Sequence, residues 1–247
     1  MPTKHLHFAD TRVLARIAQI STCAVALLYF NGCASGNYRK GDVAGECLKT
    51  AGLKIDAENR SIDMTVTALD DLINKPAPDL KPQFERFSAS LDRLVDASAR
   101  AEKAAQVADK KSVEYFRNWD KETSAIKYDA VRDQSVSRKT QVSNEFNTVN
   151  ERYRENQAVI DPLISYLQDI RTALSTDLTT GGIQSVKSLA DNALQNARKV
   201  QAALARLTDD LSASGARMSS VSLPETEARG RSSDATESTQ AHAQSSP

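Results

Sequence analysis

The sequence has few of the residues on which catalysis commonly depends. Its three histidines are His5, His7 and His242, so residues 8–241 contain none. This absence excludes His-dependent nucleophilic triads, most zinc sites and the Glu-x-x-His pattern of di-iron bundles from the central part of the chain. We therefore expect no catalytic residue, no metal and no cofactor, and a protein that is not an enzyme. An enzyme that uses carboxylates alone remains the alternative.

Aromatic residues, cysteines and net charge are scarce as well. Aromatics make up 5% of the chain, and 32 basic residues balance 32 acidic ones. Because balanced charge provides no field that attracts nucleic acid, we expect no nucleic-acid partner. Three cysteines are too few for a disulfide framework in a chain of this length. The low aromatic content favours thin helical packing over a thick mixed core.

One long apolar run is present, and it covers the 14 residues from Ile17 to Phe30. A membrane-spanning helix needs about 20 apolar residues, whereas a run of this length is typical of a signal-peptide core. Residues Phe30-Asn31-Gly32-Cys33 resemble the lipobox of bacterial lipoproteins. That resemblance implies a signal peptide over residues 1–32, cleavage between Gly32 and Cys33, and a diacylglyceryl group on Cys33. A plain secretory signal with an incidental cysteine and an uncleaved membrane anchor are the alternatives.

A lipid on Cys33 would hold the mature chain at a membrane, since two or more acyl chains anchor stably. Ala34 follows the cysteine, and no Asp stands there to suggest retention in the inner membrane. The lipoprotein resemblance therefore implies the periplasmic face of the outer membrane. Cys47 would remain as the lone free thiol, either buried or able to cross-link two copies in an oxidising periplasm.

The mature chain divides into three parts. Residues 33–60, which contain several glycines, are predicted to form a lipidated tether with a helical turn or two. Residues 61–214 carry the helical periodicity and are predicted to form the folded domain. Residues 215–247 are rich in Ser, Thr, Glu and Gln and are predicted to be a disordered tail.

Apolar residues recur at intervals of three and four in the folded domain and define four seams, Ile62–Ile73, Phe84–Ile126, Val142–Leu174 and Ile183–Leu211. Such seams predict an all-α protein: an elongated, antiparallel, coiled-coil-like bundle of long helices. Pro76 and Pro78 end the first segment.

Two features inside the seams leave the course of the helices open. The register changes between Ile126 and Val142, which indicates a turn or a stutter in one continuous helix. Pro162 either kinks the third helix or begins a new one capped by Asp161. Asn156, at a core position, either fixes the register between helices or lies in a frayed turn.

The main concentration of aromatic residues comprises Tyr115, Phe116 and Trp119. Since Tyr115 and Trp119 lie on the second seam, these rings would plug one end of the bundle. Alternatively, Phe116 lies off the seam and forms with them an exposed patch for a protein partner.

Several segments are similar to an uncharacterised family of bacterial envelope lipoproteins, known as a domain of unknown function. They are Tyr115-Phe-Arg-Asn-Trp119-Asp-Lys-Glu122, then Ser135, Arg138 and Tyr153, and the run Asp161–Leu174. The resemblance covers residues 61–211 and implies a helical domain behind a lipobox signal. The family carries no activity over to this chain.

We therefore expect a lipid-anchored, periplasm-facing helical protein that scaffolds or docks onto an envelope partner, or self-associates. A membrane-active protein that inserts into or remodels bilayers is the alternative from another class.

Overall fold

The computed structural model describes residues 36–220, and these contain four helices and no strand. Helix α1 spans Asn37–Asn74, α2 Lys81–Ser124, α3 Asp129–Thr176 and α4 Thr180–Met218. Short loops reverse the chain after each of the first three helices, so consecutive helices run antiparallel. The prediction of an all-α antiparallel bundle of long helices is confirmed.

The four helices form a ring in which each packs against two others. Helix α1 contacts α2 and α4, and α3 contacts the same two helices from the opposite corner. The contacts of α1 are the most extensive, whereas α2 and α3 touch most sparsely. Helix α3 is therefore the least tightly held member of the bundle.

The predicted seams form the core. Every residue of the fourth seam is buried, and so is every residue of the third except the partly buried Tyr153. The second seam departs from prediction at its end, where Glu122 is exposed and Thr123 is buried instead. The Thr123 and Ser135 hydroxyls share a hydrogen bond of 3.0 Å, which turns this last part of α2 towards α3.

The predicted tether is wrong from Asn37 onward, because residues 37–60 form the first half of α1. Gly45 faces Gly215 of α4. A Cβ on Gly45 would lie 2.6 Å from the carbonyl oxygen of Gly215, and a Cβ on Gly215 would lie 2.7 Å from that of Gly45. These glycines let the backbones of α1 and α4 touch. The bundle therefore begins at Asn37 rather than at residue 61, and it continues to Met218 rather than to residue 214.

The loops resolve the open questions about the helices. Helix α1 ends at Asn74 before the prolines, as predicted, and residues 125–128 form a turn between α2 and α3 rather than a stutter. Helix α3 continues through Pro162, so the prediction of a new helix capped by Asp161 is wrong. Proline removes a single N–H donor, and the turns on either side retain the helix.

Candidate functional site

The predicted lipidation and cleavage residues, Cys33 and Gly32, lie outside the described residues. The description begins at Gly36, and α1 follows at Asn37. Within residues 36–220, no helix has an apolar stretch long enough to cross a membrane.

The structure brings Tyr115, Phe116 and Trp119 together, but in the interior. Tyr115 and Phe116 are buried, and the Tyr115 ring lies 5.3 Å from each of the other two, measured between centroids. Phe116 reaches α3, where its ring centroid is 5.7 Å from that of Phe146. The rings therefore fill this end of the bundle. The alternative prediction, an exposed patch for a protein partner, is wrong because Tyr115 and Phe116 are buried.

Tyr115, Phe116 and Trp119 form an aromatic plug that a hydrogen bond holds in place. The Trp119 Nε1–H group donates a hydrogen bond of 2.9 Å to the Ser135 hydroxyl of α3, which holds the half-buried indole in place. Burial raises the pKa of the Tyr115 phenol, so it stays neutral. The plug is thus a packing element that joins α2 to α3.

Beyond the level of Asn118, α2 and α3 continue past the ends of the other two helices. The Asn118 side-chain amide donates to the side-chain oxygen of Asn37 over 3.0 Å, which places the first residue of α1 level with Asn118. The six residues from Trp119 to Ser124 add about 9 Å at 1.5 Å per residue. We call residues 119–135 the α2–α3 tip.

A carboxyl group lies in the middle of the bundle, on α1. Glu58 is wholly buried, and neither carboxyl oxygen has a hydrogen-bond partner among the described residues. Burial raises its pKa. The Ser98 hydroxyl of α2, close by but short of a full hydrogen bond, opposes this shift, whereas the charge of Asp161 on α3 adds to it.

Helix α3 contributes other unsatisfied polar atoms at mid-length. Tyr153 Oη, Asn156 Oδ1 and Gln157 Nε2 are buried without a hydrogen-bond partner among the described residues. The Asn156 amide donates to the Arg152 carbonyl over 2.7 Å, so one of its two polar atoms is satisfied. Burial, together with the nearby carboxylates Glu102 and Glu58, raises the pKa of Tyr153. Helix α3, the least tightly held helix, thus contributes three of the four residues of a polar layer in the core: Glu58, Tyr153, Asn156 and Gln157.

The polar layer offers few groups for binding or catalysis. A neutral Glu58 can donate one hydrogen bond, but the described residues contain no group of three or more metal-ligating side chains. Our sequence reasoning missed Glu58 because it placed the start of the domain at 61. The signal was present, since Glu58 lies three residues after Ile55 and four before Ile62.

A groove of about 700 Å³ lies between α3 and α4. Pro162 lies in it, and because proline has no N–H group, the Ala158 carbonyl lacks its usual helical donor. The lining of the groove combines apolar side chains with amides, and it includes Val159, Leu163, Tyr166, Val200, Asn192, Gln195, Asn196 and Lys199.

Comparison with known proteins yields a family and no function. A family model described as "Protein of unknown function (DUF2959)" matches residues 29–219. No curated protein and no solved structure matches the chain.

Proposed function

The chain belongs to the DUF2959 family of proteins of unknown function, and from this premise we propose that it is a lipid-anchored, periplasm-facing scaffold or docking protein of the bacterial envelope. Its anchor is the acylated thiol of Cys33, at the outer membrane, and its partner is a protein of the same compartment. The bundle performs no catalysis.

The position of α1 carries this proposal. The helix begins at Asn37, four residues after Cys33, and four residues span at most about 14 Å. The first turn of α1 is fixed to α2 by the hydrogen bond between Asn118 and Asn37. An acyl group on Cys33 would therefore hold this end of the bundle close to the membrane, which suits a protein that presents a surface at a set height.

The location of the buried acid supports a non-enzymatic role. A carboxylate-only enzyme needs several acids converging in a cleft that admits substrate. Glu58 is wholly buried and does not line the α3–α4 groove. A molecule in the groove would not reach its carboxyl group.

Fatty-acid labelling in a bacterial host tests the anchor. We expect the full chain to incorporate labelled fatty acid and to fractionate with the outer membrane, and the Cys33→Ser variant to do neither. The Cys47→Ser variant is the matched control and keeps the label, because Cys47 lies within α1 and receives no lipid. A wild-type chain without label, or a Cys33→Ser variant that retains it, would overturn the proposal.

A further inference from the structure

The α2–α3 tip lies at the end of the bundle where α1 begins. We infer that this tip makes a second contact with the membrane by binding the phospholipid headgroup layer beside the acyl anchor. The inference deepens the proposed function and depends on it for the position of the bundle.

Chain length brings the tip within reach of the headgroups. Whatever path residues 33–36 take, the Cα atom of Cys33 lies within about 14 Å of that of Asn37. The tip extends about 9 Å beyond the level of Asn37. The Cα atom of Cys33 therefore lies at most about 5 Å beyond the tip, which is less than the rise of one helical turn. The polar layer of each leaflet is itself roughly 5–8 Å thick, enough to bridge that remainder.

The side chains at the apex suit the membrane interface. Tyr128 is 79% exposed in the turn, and Val131, one helical turn later, is 57% exposed. A tyrosine ring favours the headgroup level, where its apolar body and its hydroxyl are both accommodated. The loops at the opposite end of the bundle, residues 75–80 and 177–179, have no large apolar side chain exposed to this degree.

Unpaired positive charge adds an attraction for lipid phosphates. Lys121 and Lys127 of the tip are exposed and make no ion pair among the described residues, and the same holds for Arg39, Arg117 and Arg138 beside it. Two tip carboxylates are already neutralised, Asp120 by Lys139 over 2.7 Å and Asp129 by Arg132. A basic side chain near an anionic surface contributes about 1 kcal/mol of attraction.

Within residues 119–135, however, the net charge is −1, because four acidic residues stand against three basic ones. The tip would therefore not recruit the chain to a membrane by itself. It acts as the weaker of two signals, after the acyl anchor has supplied most of the binding.

Quenching by brominated phospholipid tests the contact. The full chain, extracted from membranes in a Cys47→Ser background, receives a single fluorophore through Tyr128→Cys and is reconstituted into vesicles of zwitterionic and anionic lipid. The control carries the same fluorophore through Ala77→Cys, an exposed position in the opposite loop. We expect quenching at position 128 to exceed that at 77 several-fold, and to fall when Lys121→Ala and Lys127→Ala are added.

Equal quenching at the two positions, or none at position 128, would overturn the inference. The intact mass of the same sample reports acylation separately. An acylated chain with an unquenched tip overturns this inference and leaves the proposed function in place. An unacylated chain overturns the proposed function and this inference with it, because the tip alone does not bring the chain to the membrane.

Discussion

Replacing Glu58 with methionine is the substitution that tests the interior of the bundle most sharply. The wild-type carboxyl group is wholly buried and lacks hydrogen bonds among the described residues. Methionine has a similar length and no group that needs a partner. We therefore expect the Glu58→Met variant to be more stable than the wild type.

The magnitude follows from the cost of an unsatisfied buried polar group. Such a group costs about 1–3 kcal/mol, so the variant should gain that much free energy of unfolding at neutral pH. For a protein of this size, the gain corresponds to a rise in Tm of roughly 2–12 °C.

The free energy of unfolding gained by the Glu58→Met variant should increase as the pH rises. Burial raises the pKa of Glu58 in the folded state above the ordinary pKa that it has in the unfolded chain. Below that value both states are protonated, and the wild type keeps its full stability. As the pH rises, the unfolded chain releases its proton first, so folded wild type loses stability until the pH passes the folded pKa. The difference in free energy of unfolding between the variant and the wild type therefore widens as the pH rises from the unfolded pKa to the folded pKa, and then levels off.

Urea denaturation from pH 4 to pH 8 measures both effects. Glu46, which is exposed on the same helix, provides the control, and Glu46→Met should change stability by less than about 0.5 kcal/mol at every pH. A Glu58→Met variant that is less stable than the wild type at neutral pH, or a difference that narrows as the pH rises, would refute this reasoning.

Three other tests address packing and capping, each by urea denaturation. Gly45→Ala should lower the free energy of unfolding by about 1–3 kcal/mol through overpacking, whereas Gly52→Ala, whose Cβ would meet α4 no closer than 3.5 Å, should raise it by about 0.5–1 kcal/mol. Equal effects of the two would contradict the close crossing of α1 and α4. Trp119→Phe loses the hydrogen bond to Ser135 and should cost about 1 kcal/mol. Thr179→Ala removes the N-cap of α4 and should cost about 1 kcal/mol, and an unchanged stability would show that the cap is dispensable.

The periodic part of the fold could be predicted because its information is local. Every predicted residue of the fourth seam is buried, since spacings of three and four place these side chains on one face of a helix whatever its partner. The turn at residues 125–128 was harder, because no glycine or proline marks it. The change of register around it was the available signal.

The first half of α1 could not be predicted in the same way. Gly41 and Gly45 suggested a flexible segment, yet each faces the backbone of α4 near its end. Whether a glycine supplies freedom or close approach depends on a partner some 170 residues away, and a single sequence does not reveal that pairing. The interior position of Phe116 likewise depends on Phe146, a residue of another helix.

Glu58 was predictable in principle. Extending the first seam backwards by one helical turn from Ile62 reaches it, and a charged residue at a core position is a recognisable departure from the pattern. What the pattern does not reveal is whether another helix offers a partner for the carboxyl group.

The anchored bundle is the central claim, and the intact mass of the protein from a bacterial membrane fraction tests it most directly. We expect a chain that starts at residue 33 and carries added acyl mass, which is lost in the Cys33→Ser variant. A wild-type chain of unacylated mass, whether cut nearby or left whole, would contradict it.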